Sequence, residues 1–310
     1  MTFKITICIL TCNREAMLED LLMSLMNITY RPLEIIVVDN GSTEKLIKLI
    51  QDKYKEVIYF KNKENLGIEG RNIGLKNATG DYIITVDDDI LGITDEAIQQ
   101  LIEIFNKQPN VGAVCFKVLD PVTLKVVNWC HHLKVEGYAD ESFITDEITE
   151  GAVAFRRTAL PENLYPSYFF ISHEGHDLAL RIMNNGYDVI YHPRIIVKHY
   201  HSPINRAVWR RYYFDTRNLI WLAVRNYPIG YGIKYLSRGL LAMLIYSIRD
   251  GFLYYWFKAL IDGIIHIRMP FNDRTVITNK TLQAIKKIDH NRPSILYLIR
   301  KRLFRREVRI

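Results

Sequence analysis

"DYIITVDDDI", residues 81–90, runs an apolar segment straight into three adjacent carboxylates, Asp87, Asp88 and Asp89. The apolar part reads as a short buried strand. Three neighbouring negative charges repel one another, so something must hold them. If the chain stays extended, Asp87 and Asp89 point to one side and Asp88 to the other. Two aligned carboxylates suit a hard divalent cation such as Mg2+ or Mn2+, which takes oxygen ligands and commonly also holds substrate phosphates.

Outward from this stretch, short apolar runs alternate with helical patterns. Residues 5–10, 33–39, 57–60, 81–87 and 111–116 read as buried strands, and 15–26, 43–53, 70–77 and 94–106 as helices. Such alternation predicts an α/β fold with a mainly parallel central sheet flanked by helices. Ligands of these sheets bind beyond the carboxyl ends of the strands. Residues 11–14, 39–42 and 87–89 each follow a strand, so one cleft can use all three. Further on, 125–129, 149–156, 188–191 and 195–198 read as strands, and 175–185 as a helix ended by Gly186.

The 310 residues are 49% apolar and 24% charged, a globular composition. The net charge of +7 hides an asymmetry: residues 201–310 hold 21 Lys and Arg against 6 Asp and Glu. The four cysteines form no CxxC pair or disulfide-like framework, which points to a reducing, cytoplasmic setting. The start, "MTFKITICIL", reads as a strand and lacks the pattern of a secretory signal.

"TCNR" (11–14), "VVDNGS" (37–42), "NLGIEGRNIGL" (65–75) and "DYIITVDDD" (81–89) occur in this order and spacing. Together they resemble the family 2 glycosyltransferases with a GT-A fold, of the rhamnosyltransferase and galactofuranosyltransferase kind, over roughly residues 4–200. The resemblance implies that Thr11, Asn13 and Arg14 line the nucleotide pocket and that Asp39 hydrogen-bonds the base of a sugar nucleotide. It implies that Asn65, Gly67, Arg71 and Asn72 close over the donor, with Arg71 meeting the diphosphate. Asp87 and Asp89 match the metal-binding DxD, with Asp88 beside the donor. An aspartate can accept the imide N–H of uracil or thymine, so Asp39 is compatible with UDP or dTDP.

"FFISHEGHDLALRIMNNGYDVIYHP" (169–193) resembles the acceptor-side motif of the same family. Inverting sugar transfer needs a carboxylate to take the proton of the acceptor hydroxyl, and Glu174 and Asp177 are the candidates. Many relatives carry an acid pair here whose second member is the base, and its place in this chain is Gly175. Glu174 is preferred, because it precedes the helix; Asp177 is then a helix N-terminal or acceptor-binding acid. His199 matches the position at which relatives supply a histidine to the metal, with His201 its rival. His176 and Gly151 are further acceptor-side candidates.

The last third is basic and aromatic. "LLAMLIYSI" (240–248) and "GFLYYWFKALIDGIIHI" (251–267) are too short or interrupted to span a membrane. They suit a pair of interfacial helices with Tyr254, Tyr255 and Trp256 at headgroup depth, or a helical subdomain at an interface between copies. The end, "IRKRLFRREVRI" (299–310), adds attraction to anionic lipid of roughly 1 kcal/mol per basic residue. The division expected is a GT-A nucleotide-sugar-binding and catalytic domain over 1–203 and a membrane-surface helical region over 204–310. The expectation is a glycosyltransferase at the cytoplasmic membrane face, taking a nucleoside-diphosphate sugar to a polyprenyl-linked or growing glycan of a surface polysaccharide. A nucleotidyltransferase would need an early glycine-rich, lysine-containing phosphate loop, which "TCNREAM" is not. A non-catalytic membrane- or glycan-binding protein would need neither base nor metal. Nucleic acid is not an expected partner, since the first part is acidic and carries no nucleic-acid-binding signature.

Overall fold

The computed structural model describes residues 2–200, 207–294 and 296–297. Its first part is β1 (Ile5–Thr11), α1 (Glu15–Met26), β2 (Leu33–Asp39), α2 (Glu44–Lys53), β3 (Ile58–Lys61), a 3-10 turn (Gly67–Arg71) running into α3 (Asn72–Asn77), and β4 (Tyr82–Asp87). β1 and β4 are buried almost throughout, because both faces of the sheet are covered. Next come β5 (Ile90–Leu91), α4 (Asp95–Lys107), β6 (Val111–Leu119), the one-turn α5 (Val135–Tyr138), β7 (Phe143–Ile144), β8 (Ala152–Arg156), α6 (Glu174–Asn184) and β9 (Asp188–His199). The Thr94 side chain caps α4 by accepting from the Ala97 N–H.

The sheet order is β3-β2-β1-β4-β8-β6-β9-β5, with β7 also paired to β9. β3, β2, β1 and β4 are parallel, β8 is antiparallel to both β4 and β6, and β6 runs parallel to β9. The parallel half matches the sequence expectation, and the second half is mixed. The expected strand at 125–129 does not form: Asp120 folds the chain into a turn by accepting from the N–H groups of Val122 and Thr123, leaving a lone bridge between Leu119 and Val126. The two strands expected at 188–191 and 195–198 are one, with a register shift where β6 passes from His192 to Ile196.

After residue 207 the chain is helical: α7 (Trp209–Asn226), α8 (Ile229–Arg249), α9 (Leu253–Ile265), α10 (Arg268–Asn272) and α11 (Asn279–His290). These helices extend the core of the α/β unit. Trp221, Leu222, Ile277 and Ile285 are buried in the same apolar cluster as Phe155 of β8 and Leu178 of α6. Among the described residues, no helix is long and apolar enough to cross a membrane. Trp256 does not reach an outer surface as expected. It packs inward with Tyr212, Met243 and Tyr246, while Tyr254 stays exposed.

Candidate active site

Strand register assembles the site. Thr11 of β1 lies level with Asp39 of β2, and the preceding Leu10 lies level with Asp87 of β4. The polar residues that follow three strands therefore meet at one carboxyl edge. Asp39 is fully buried and accepts from the Ser42 N–H at 2.7 Å and the Tyr59 hydroxyl at 2.6 Å. Each carboxylate oxygen has a second lone pair, which leaves acceptor capacity. Asn13 ties two loops together: its N–H donates to Ser42 Oγ at 2.8 Å, and its Oδ1 accepts from Thr43 N at 3.1 Å.

Each acid of the triplet has a different neighbour. Asp88 is buried and held by the Thr11 hydroxyl at 2.7 Å and by Arg14 Nη1 at 2.9 Å. Burial pushes its pKa up to about 6, and the Arg14 guanidinium and Thr11 hydroxyl pull against that shift. Arg14 also bonds Asp89 at 3.0 Å. Asp87 keeps 43% of its side-chain surface exposed and is gripped on one side by Arg71. Arg71, expected at the diphosphate, is fully buried: its guanidinium donates to the carbonyls of Cys8 and Val86 and to Asp87. It ties Asp87 to the middle of β1 and the end of β4.

His199 reaches this edge because it pairs with Ile90 across β5 and β9, one residue beyond Asp89. Its Nε2 lies 3.3 Å from Asp89 Oδ1, and the Asn128 amide bonds its Nδ1 at 2.7 Å, orienting the ring. A carboxylate and an imidazole held so are suitable donors for Mn2+. Asp87 does not complete the set as expected: among the described residues no group of three His, Cys, Asp or Glu is placed to hold a metal. His201 lies outside the described residues.

The segment at 65–72 is pegged by Asn40, to which the sequence assigns no role of its own beyond the motif at 37–42. Its amide donates to Asn65 Oδ1 and the Gly67 carbonyl and accepts from Leu66 N and Asn62. Gly67 has φ +63°, and a Cβ there would run into the Phe170 carbonyl, which accepts from Ile68 N at 2.8 Å. Asn72 faces inward, clasping both the N–H and the C=O of Tyr165 at 3.0 and 2.8 Å.

On the acceptor side, Phe170, Ser172 and His173 adopt left-handed backbone immediately before α6. Asn218 of α7 holds this loop by donating to the carbonyls of Phe169, Ile171 and Ser172, and Arg217 bonds those of Tyr168 and Phe169. Glu174 opens the helix, 8% exposed, and burial raises its pKa to about 8, with Glu150 adding to the shift. Asp177 lies in the first turn of α6, one of the two places offered for it, and is fully buried, with Arg181 at 2.6 Å, Arg225 at 2.9 Å and Asn226 at 2.7 Å. His176 is equally enclosed, bonding Glu147 at 2.6 Å and the Tyr227 hydroxyl at 2.7 Å. Burial opposes its charge, yet the Glu147 and Asp146 carboxylates outweigh that and raise its pKa. Gly151 does sit at the cleft. With φ +74°, it passes so close to Asp87 that a Cβ would lie 2.8 Å from Asp87 Oδ1.

Glu150 was not singled out from the sequence. It stands beside Gly151, half-buried, with the Tyr165 hydroxyl 2.8 Å from each carboxylate oxygen. Burial lifts its pKa to about 7, and Arg71 and the Tyr165 hydroxyl temper the rise. Its only signal in the sequence is an acid next to a glycine in "TEGAVAF".

An O-antigen chain rhamnosyltransferase, RfbN, of Salmonella typhimurium is 27% identical over 226 residues, covering 69% of this chain and 71% of that protein. Among solved structures, GalNAc-T7 with UDP, GalNAc and Mn2+ superposes with a TM-score of 0.61 at 15% identity, over 83% of this chain and 54% of that one. The mannosyltransferase PcManGT of Pyrobaculum calidifontis, in complex with GDP-Man and Mn2+, gives 0.53 at 16% identity, over 99% and 89%. At these identities the structural likenesses speak for the fold, which is of the GT-A type. Residues 6–163, half of the chain, match the family described as glycosyl transferase family 2, and the chain belongs to that family of glycosyl-transferring enzymes.

Proposed function

We propose that this chain is a metal-dependent, inverting transferase that moves a sugar from UDP or dTDP to a hydroxyl of a lipid-linked or growing glycan in surface polysaccharide assembly. The observation that carries the reading is the meeting of three groups at one sheet edge: Asp39, the Asp89–His199 pair, and Asp87 flanked by Gly151 and Glu150. Asp39 accepts the imide N–H of the pyrimidine base. Asp89 and His199 would hold Mn2+ or Mg2+ beside Asp87, and a cation there would supply Lewis-acid stabilisation of the leaving diphosphate. Arg14, the partly exposed cation beside Asp88 and Asp89, balances charge as the donor enters. The acceptor oxygen attacks the anomeric carbon as the bond to the diphosphate breaks, and a carboxylate beside Asp87 takes the proton. Glu150 and Glu174 are the two that the cleft offers. The rhamnosyltransferase relative supports a deoxyhexose donor.

An exposed apolar stripe supports work at the inner face of the membrane. Tyr254, Phe257, Ile261, Ile264 and Ile265 line one side of α9, with Lys258 and Arg268 exposed along it. The basic end at 299–310 falls beyond the described residues. Cosedimentation with phosphatidylglycerol vesicles that weakens with salt, and is lost in Phe257→Asp/Ile264→Asp, is expected. Dimers in solution that bury the stripe, without vesicle binding, would assign it to an interface between copies.

The nucleotide reading is tested by thermal shift with UDP and dTDP, with and without Mn2+. A ligand at a hundred times its Kd adds about 2.7 kcal/mol of stability. A metal-dependent shift with one nucleotide is expected, and no shift with either would overturn the reading.

A further inference from the structure

Glu150 and Glu174 come from different elements, one ending the loop before β8 and the other opening α6, yet they share one space. They meet at Gly175. A Cβ built there would lie 3.5 Å from Glu150 Cγ and press on the Ile148 carbonyl, so the Glu150 side chain lies over the bare backbone of the first turn of α6.

The two carboxyl groups are equipped differently. Glu174 is 8% exposed, and its Oε2 is buried with no hydrogen-bond partner. Glu150 retains exposure, and one phenolic O–H, 2.8 Å from both of its oxygens, sets the plane of the carboxylate while leaving lone pairs open. That phenol is itself fixed, because Asn72 clasps the Tyr165 backbone. From Glu150 the chain passes through Gly151 directly across Asp87. Glu150 thus stands between the strand-end acid and Glu174. Burial raises the pKa of both carboxyls, and each carboxylate's charge further disfavours ionisation of a neighbouring acid.

We propose that Glu150, held by Tyr165 over the bare backbone of Gly175, is the catalytic base of the transfer, and that Glu174 stands behind it as a positioning residue. The inference rests on the glycosyl-transfer reading of this cleft. The acceptor oxygen forms its bond to the anomeric carbon, the carbon–oxygen bond to the diphosphate breaks with its electron pair on the leaving group, and the hydroxyl proton passes to Glu150 and then to water.

Water serves as acceptor in the test. Release of nucleoside diphosphate is followed from UDP-glucose, UDP-galactose, UDP-N-acetylglucosamine and dTDP-rhamnose with Mn2+, and the donor turned over by the wild type is carried forward. Glu150→Gln is expected to lower kcat by about 100-fold or more with little change in KM or in the nucleotide-induced thermal shift. Glu174→Gln is expected to stay within about tenfold of wild type. Azide needs no proton removed, so it restores donor consumption by Glu150→Gln and yields the glycosyl azide. Should Glu150→Gln not fold, Tyr165→Phe leaves the carboxylate ionised but unoriented, and kcat falls about tenfold at unchanged KM. Turnover retained by Glu150→Gln or by Tyr165→Phe, or lost in Glu174→Gln alone, overturns the inference and leaves the transfer reading standing. Failure of the wild type to turn over any of the four donors removes that reading and the inference with it.

Discussion

Replacing Glu174 by glutamine should change how stability depends on pH. The carboxyl is 8% exposed and its pKa is raised by burial from 4.5 to about 8. The folded chain therefore binds this proton more tightly than the unfolded chain. The stabilising contribution is complete below pH 4.5 and is lost as pH rises through 8. Linkage, at roughly 1.4 kcal/mol per pKa unit, gives a loss of roughly 3–4 kcal/mol between pH 5 and pH 8. Glutamine keeps the shape and the buried polar group but carries no proton to lose, so its cost is the same at both values. Urea unfolding of the two proteins at pH 5 and pH 8 reads Glu174 together with the Glu150 carboxyl coupled to it, because uncoupled titrating groups cancel in the difference. Wild type should be favoured at pH 5, and its advantage should shrink or reverse at pH 8. A difference between the two proteins that moves by less than about 0.5 kcal/mol over this range would refute the reasoning, since it would mean that water reaches Glu174 and keeps its pKa ordinary.

Other perturbations probe the remaining parts of the site. Asn218→Ala removes three hydrogen bonds to the left-handed loop before α6, so a loss of about 2–4 kcal/mol in denaturant unfolding is expected, with transfer activity falling as the loop relaxes. Asp177→Asn leaves Arg225 and Arg181 without their buried counter-charge and should cost about 3–5 kcal/mol of stability; folded protein recovered at low temperature should still bind nucleotide. Asp39→Asn should weaken nucleotide binding by about tenfold or more in calorimetry, because an amide presents a donor or a weaker acceptor to the base. In the wild type, donor turnover should rise as pH passes through about 7, where Glu150 loses its proton; Glu150→Gln should abolish that limb of the profile.

Much of the site was legible in the sequence, for a local reason. Apolar runs of strand length alternating with amphipathic helices leave little choice but a parallel sheet, and polar residues just after successive strands must then gather at its carboxyl edge. Thr11, Asp39 and Asp87 meet there because the register of β1, β2 and β4 puts them there. The antiparallel entry of β8 between β4 and β6 was not legible, since an isolated strand of five residues carries no sign of its direction.

What the sequence determined by itself is the order of elements, the family motifs and the sheet edge at which the motif residues gather, all set by short-range pattern. Tertiary structure decided which polar groups face the cleft. Arg71 looks like a ligand arginine among glycines; in the fold it is fully buried, and its two terminal nitrogens bond carbonyls of two different strands and the Asp87 carboxylate. Asp177 reads as a helix N-terminal or acceptor-binding acid; in the fold it sits in the first turn of α6 as the buried counter-ion of an arginine 48 residues later in the chain. Glu150 reads as nothing in particular, and gains its place because Tyr165 orients it and its side chain packs against Gly175 of another element. Burial and partner choice depend on contacts between residues distant in sequence, and a carboxylate's chemistry follows from those contacts more than from its neighbours along the chain.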